Sequence, residues 1–153
     1  MSPIAHPVLR LTLRQGSVFL MRHRALTRPL RHFCVVMNAE PLRDVVIVLG
    51  VVTSSVELRR ERIRLNGEAP ETLVVIGPAD YAELDHESAI DCNDTKRMDA
   101  AEFEREFNAR SFQGMTDLPA PVVARVVAGI LASRAVPAAI KALVRPGLSA
   151  QGS

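Results

Sequence analysis

The sequence is poor in cysteine and contains no uninterrupted apolar run of the length that crosses a membrane. Its two cysteines, Cys34 and Cys92, are too few for the disulfide framework of a small secreted domain. We therefore expect two reduced thiols and a cytoplasmic location. The first residues lack the charged and then apolar pattern of a secretory signal, and charged residues interrupt the longest apolar stretch, 118–144. We accordingly expect no membrane association.

Acidic residues are absent from the first 39 positions, which carry six arginines, and again from 118–153. The segment 67–117 is instead rich in Asp and Glu, and the formal net charge is only +2. Charge separated in this way can create a local field. It favours a basic surface for RNA phosphates at the start of the chain. The alternative is that the acidic middle folds back onto the basic ends and neutralises them.

Common catalytic and cofactor motifs are also missing. The chain has no phosphate-binding glycine loop, dinucleotide fingerprint, paired-cysteine zinc site or nucleophile elbow. Asp85, His86, Asp91 and Cys92 are residue types that could hold a metal or supply a cysteine nucleophile, but their spacing matches no known ligand pattern. A polar turn is the favoured interpretation, and we expect neither metal nor cofactor.

Hydrophobic patterning predicts strands first and helices afterwards. Alternation and β-branched runs predict strands at 8–13, 17–21, 32–38, 44–54, 72–76 and 88–92. Gly50 predicts a bulge or bend, and 56–65 fits either a strand or a short helix. A capping box of Asp99 and Glu102 predicts one helix, Pro121 begins another, and Pro137 ends that helix or begins a third.

This order of elements predicts one α+β domain over 1–153. Short strands with frequent turns favour a small curled antiparallel β-barrel, which we place at 8–94. Helices packed on the barrel follow at 95–146, and 147–153 is predicted to be a disordered tail.

The basic segment and the strand after it supply residues suited to a phosphate. Arg31 lies where the basic loop enters a strand, and a guanidinium binds phosphate in a bidentate manner. Thr53 ends the next strong strand, with Ser54 beside it. In an antiparallel sheet the start of one strand and the end of the next can adjoin. Arg22, Arg24, Arg28 and Ser54 are predicted to bind RNA around Arg31 and Thr53.

Four segments, in order and spacing, resemble the MazF/PemK family of toxin ribonucleases. They are Gly16-Ser17-Val18-Phe19, the run Arg31-His32-Phe33-Cys34-Val35-Val36-Met37-Asn38, Val51-Val52-Thr53-Ser54, and Glu87-Ser88-Ala89-Ile90. The resemblance covers 16–94. Ser17 replaces the usual acid of the first segment, and His32 replaces the usual proline after the arginine.

The resemblance implies a small SH3-like barrel with helices packed against it, and cleavage of single-stranded RNA by the neighbouring 2′-hydroxyl without a metal. Arg31 would be the catalytic acid or base that also contacts the phosphate, and Thr53 would stabilise the phosphate in the transition state. Family members are usually homodimers that a partner antitoxin holds inactive.

His32 has two readings: it could contact RNA and transfer protons, or it could be structural. Neighbours on a strand point to opposite faces, so Arg31 and His32 should not share a groove, which favours a structural role.

Two other functions stay open at this point. The same barrel could bind nucleic acid or a protein partner without catalysis, as a repurposed relative would. Alternatively, the apolar helices of 121–144 could dock a partner, which would make the chain chiefly an interaction module.

Overall fold

The structure, a computed structural model, describes residues 2–21 and 32–146. The predicted disordered tail at 147–153 lies outside these residues. Seven strands and five α-helices form over the described part of the chain. The strands are β1 (Val18–Met21), β2 (His32–Val36), β3 (Val46–Thr53), β4 (Leu73–Ile76), β5 (Ser88–Asp91), β6 (Lys96–Asp99) and β7 (Phe112–Gly114). The helices are α1 (Pro7–Thr12), α2 (Val56–Leu65), α3 (Ala100–Asn108), α4 (Ala120–Ala132) and α5 (Ala138–Val144).

All seven strands belong to one antiparallel sheet in the order β4-β5-β3-β2-β1-β7, with β6 also paired to β3. Strand β3 changes partner along its length: residues 46–49 pair with β6, and 52–53 pair with β5. Gly50, where a bulge or bend was predicted, lies at this change of partner. A Cβ at Gly50 would lie 3.2 Å from the Cγ2 atom of Ile90, so a larger residue would press on β5.

The α+β class and the antiparallel sheet are confirmed. In the described residues the sheet does not close, however, because β4 and β7 each have one partner strand and do not pair with each other. The described strands therefore form an open sheet, not a closed barrel.

Helices cover both faces of this sheet. On one face, α4 and α5 bury Val126, Ile130 and Val144 in what we call the first core. On the other face, α1 and α3 contribute Leu9 and Phe103 to the second core. The apolar stripes of α4 and α5 thus pack on the chain's own sheet, which leaves little of them for the docking role considered above.

The prediction of a strand at 8–13 is wrong, because this part of the chain forms the helix α1. Pro7 occupies its first turn, and the Nδ1 atom of His6 accepts a hydrogen bond from the Val8 amide at 3.2 Å. Leu9 and Leu13 are buried, whereas Leu11 is 85% exposed. Leu9 and Leu13 fit the i, i+4 spacing of a helix as well as the alternation of a strand, so this short pattern is compatible with both structures. A proline in the first turn favours the helix.

The other differences between prediction and structure lie mainly near residue 94, the predicted boundary between the barrel part and the helical part. Segment 56–65 is a helix, and strands β6 and β7 were not predicted. Both pair with strands of the proposed barrel part, so the two predicted parts share one sheet. Helix α3 begins after Asp99 as predicted, although the Asp99 side chain makes no capping hydrogen bond. Pro121 lies in the first turn of α4, and Pro137 precedes α5.

Candidate nucleic-acid interface

An open groove of about 520 Å³ lies where β3 ends and α2 begins. We call it the Thr53 groove. The lining residues important to its chemistry are His32, Thr53, Ser54, Arg59, Arg62 and Lys96. They come from the start of β2, the end of β3, the first two turns of α2 and the start of β6.

His32 and Thr53 lie at the same end of the β2–β3 pair. The register of these two strands ends at Cys34 and Val51, and His32 and Thr53 each lie two residues beyond that pair, toward the same end of the sheet. Both side chains are half-buried and line the same groove. The imidazole and the hydroxyl therefore belong to one site.

The turn after β3 orients the Thr53 hydroxyl. Its Oγ1 accepts a hydrogen bond from the Ser55 amide at 3.1 Å. A hydroxyl has one donor hydrogen and two acceptor lone pairs. Over residues 2–21 and 32–146 this hydrogen has no acceptor, so it can donate to a ligand oxygen, which suits Thr53 to hold a phosphate.

Arg59 is fixed in the groove by two carboxylates. Its Nη1 lies 3.4 Å from an oxygen of Asp91 and 3.0 Å from one of Asp94, and Lys96 Nζ lies 3.0 Å from the other Asp94 oxygen. Burial acts to raise the pKa of Asp94, but the hydrogen bonds and charges of Lys96 and Arg59 outweigh it and lower that pKa. Asp94 is thus an anion near neutral pH, and the two carboxylates offset the charges of Arg59 and Lys96.

A partly buried chain of hydrogen bonds supports Asp91 from behind. Asn93 donates from its backbone amide and from Nδ2 to the same Asp91 oxygen, at 3.0 Å each. Ser133, after the end of α4, donates to Asn93 Oδ1 at 2.5 Å. The position of Arg59 is consequently linked to the core helices.

Among the described residues that line this groove, Arg62 is a cation without a counterion. It lies one turn beyond Arg59 on α2 and is exposed. Over residues 2–21 and 32–146 its side chain forms no ion pair, whereas Arg60 pairs with Glu57 and Arg64 with Glu61. Its full charge is therefore available to a ligand.

The described site contains some of the predicted residues. Thr53, Ser54 and His32 meet in one groove, so His32 faces the candidate site and does not point away from it. The predictions for Arg31, Arg22, Arg24 and Arg28 lie outside the described residues. Met21 pairs with His32, so the chain leaves β1 and enters β2 at the end of the sheet where Thr53 lies.

Charge neutralisation within the chain is partial. Arg14 forms an ion pair with Asp117, and Arg134 with Glu68. These contacts between sequence-distant residues are what the fold-back alternative predicts for the basic ends. They leave the charge of Arg62 uncompensated in the described structure.

Sequence reasoning missed Arg59, Arg62 and Lys96. The first two belong to a segment that fitted a strand and a helix equally, and Lys96 to an unpredicted strand. Had the segment been assigned as a helix, the three-residue spacing of Arg59 and Arg62 would have predicted one shared side.

Metal and thiol chemistry find no support at Asp91 and Cys92. Within the described ranges, no three His, Cys, Asp or Glu side chains are grouped so that they could hold a metal ion. Burial, and secondarily the charge of Asp91, raises the pKa of Cys92 to about 12. A thiol held protonated in this way is a poor nucleophile. No helix in the described part of the chain is long and apolar enough to cross a membrane.

Comparison of the chain with models of known protein families found no match, and none of the curated proteins searched is significantly similar to it.

Proposed function

We propose that the protein is a metal-independent endoribonuclease of toxin-antitoxin type that cleaves single-stranded RNA in the Thr53 groove. The observation that carries the proposal is the shared groove of His32 and Thr53. It joins a hydroxyl donor and an imidazole at the point where the arginine-rich segment meets the sheet. Such a cleavage requires a donor to hold a phosphate oxygen, a proton-transfer group and a cation to stabilise the developing charge.

Each residue has a distinct role in this proposal. The free hydrogen of Thr53 Oγ1 donates to a nonbridging phosphate oxygen. Arg31 stabilises the negative charge that develops on the phosphate and takes part in proton transfer, as the resemblance implies. His32 lines the same groove, and an imidazole is a side chain that can take up and release a proton in catalysis, so His32 is the proposed second proton-transfer group.

The reaction is an internal transfer that needs no added water. The 2′-oxygen attacks the adjacent phosphorus, a new P–O2′ bond forms, and the P–O5′ bond breaks. A base removes the proton of the 2′-hydroxyl, and an acid gives a proton to the leaving 5′-oxygen. The products are a 2′,3′-cyclic phosphate and a 5′-hydroxyl end.

The proposal extends to the fold and partners that go with it. The change of partner along β3, with β5 and β6 on the same side of it, is compatible with an SH3-like barrel. An antitoxin and a second copy of the chain are the proposed partners.

The test is cleavage of single-stranded RNA by the purified protein in excess chelator. We expect cyclic-phosphate and 5′-hydroxyl ends, and a loss of at least about 100-fold in rate for Thr53→Val, as when one oxyanion donor is removed. Thr12→Val is the matched control, because Thr12 is exposed on α1 and its hydroxyl donates to the Val8 carbonyl of the same helix at 2.8 Å. Arg31→Ala should lose activity with an unchanged circular dichroism spectrum.

Two results would separate the alternatives. Salt-dependent RNA binding without cleavage would favour the non-catalytic binding protein, since phosphate contacts weaken steeply with salt. Undiminished cleavage by both Thr53→Val and Arg31→Ala would contradict the assigned site.

A further inference from the structure

A second groove adjoins the Thr53 groove on the far side of Arg59. Its volume is about 530 Å³, and Arg59, Arg62, Asp91 and Asp94 line both grooves. Asn66, at the end of α2, lines only the second groove. The two depressions are therefore separated by a ridge of side chains from α2 and the end of β5, and a ligand that crosses this ridge reaches both.

The positive charge of the ridge that is not offset by an ion pair belongs to one described residue, Arg62. Arg59 is held by Asp91 and Asp94, and these three groups together are net negative until Lys96 is added. In the second groove, Arg134 donates to the Gly67 carbonyl at 2.7 Å and pairs with Glu68. Arg62 has no such partner within the described chain. An anion on the ridge would therefore meet its strongest attraction at Arg62.

We propose that the single-stranded RNA continues from the Thr53 groove across the ridge into the second groove, and that Arg62 binds a backbone phosphate outside the cleavage site. The proposal rests on the function proposed above. The ligand proposed for the second groove is a neighbouring nucleotide of the same RNA strand. Proteins that bind single strands commonly follow the backbone with a positively charged groove. Arg62 is a binding residue here, not a catalytic one.

The polar lining of the second groove fits such a nucleotide. Asn66 is exposed at the end of α2, and Asn93 lies at the back with its amide already bonded to Thr72 and Asp91. An exposed amide can both donate to and accept from a ribose or a base edge. A single strand can follow two shallow grooves in succession because its backbone is not constrained by pairing.

The experiment measures binding of 2′-O-methyl oligonucleotides, which cannot be cleaved, by fluorescence anisotropy. One oligonucleotide has about 4 nucleotides, and the others are extended at either end to about 10. The variant is Arg62→Gln. Its matched control is Arg60→Gln, which removes the same charge from the same helix but from a residue paired with Glu57.

We expect the unmodified protein to bind at least one extended oligonucleotide more tightly than the short one. Arg62→Gln should remove most of that gain, weakening extended binding about fivefold, the upper range for one exposed ion pair. The magnitude of the salt slope of log K should also fall by about 0.7, the value for one phosphate of a single strand. Arg60→Gln should leave both quantities nearly unchanged.

Equal effects of Arg62→Gln and Arg60→Gln, or an undiminished gain from extension in Arg62→Gln, would overturn the second groove as part of the track. The proposed function would survive that result if the protein still cleaves RNA and Thr53→Val does not. Conversely, extension-dependent binding through Arg62 without any cleavage would support the track and refute the nuclease.

Discussion

Tyr81 is the only tyrosine of the chain, and tryptophan is absent, so one residue can be followed alone by absorbance. Its hydroxyl donates to the Thr116 carbonyl at 2.5 Å, and its ring meets Phe33 edge-on with centroids 6.3 Å apart. Burial, followed by the charges of Glu83 and Asp117, raises the Tyr81 pKa above its ordinary value. The folded protein thus strongly favours the neutral phenol.

A spectrophotometric titration tests this shift. We expect phenolate absorbance in the native protein only well above the ordinary tyrosine value of about 10, and at that value in urea. Because the folded-state pKa is raised, the stability contributed by the neutral phenol is full below about pH 10 and is lost as the pH rises further. Tyr81→Phe should show a smaller alkaline loss. Identical native and urea midpoints would contradict the proposed burial effect.

Helix α2 is attached to the sheet by an ion pair and a small apolar cluster. Val56 and Ile63 pack on Leu73 and Ala89, and Arg59 reaches Asp91, whose side chain is only 7% exposed. Removing Arg59 would leave this carboxylate without its cation. The loss of a partner by a buried polar group costs about 1–3 kcal/mol.

We therefore expect Arg59→Gln to lower the free energy of unfolding by about 1–3 kcal/mol, measured by urea denaturation. Arg60→Gln removes the same charge on the exposed side of the helix and should cost less than about 1 kcal/mol. A cost for Arg59→Gln no larger than for Arg60→Gln would show that the Asp91 contact does not stabilise the docking of α2.

Most core elements could be predicted because the hydrophobic pattern of each fits only one kind of secondary structure. β-branched runs long enough to span the sheet gave β2 and β3, and the spacing of Val122, Val126 and Ile130 gave the buried side of α4. Strands β6 and β7 were missed because KRMD and FQG are too short for alternation to appear. Their strand conformation comes from pairing with β3 and β1, which is tertiary information.

The candidate site was predictable only where strand ends define it. Thr53 ends a strong strand and Ser54 follows it, so their place at a sheet end follows from the local pattern. The position of Arg62 depends on the assignment of α2, and the offset of Arg59 by Asp91 and Asp94 depends on how β5 packs against that helix. Neither contact has a signature in the sequence around the arginines.

At the scale of the whole molecule, one sheet separates two apolar cores. Strand β3 contributes to both, since Val48 and Val52 face the first core while Ile47 and Leu49 face the second. Because both cores use the same backbone hydrogen bonds, loss of either face should expose the other. We therefore expect the described fold to unfold as one cooperative unit.

Two identical substitutions on opposite faces test this cooperativity. Ile130→Val lies in the first core and Ile47→Val in the second, and both isoleucines are fully buried. Each should cost about 0.5–1.5 kcal/mol. Tyr81 belongs to the first core, so its fluorescence reports on that face, whereas far-ultraviolet circular dichroism reports on the entire backbone. If the sheet couples the cores, Ile47→Val must shift the tyrosine transition as much as the circular dichroism transition. A shift of the circular dichroism transition alone would mean that the faces unfold separately, and that changes near α1 and α3 do not reach the first core.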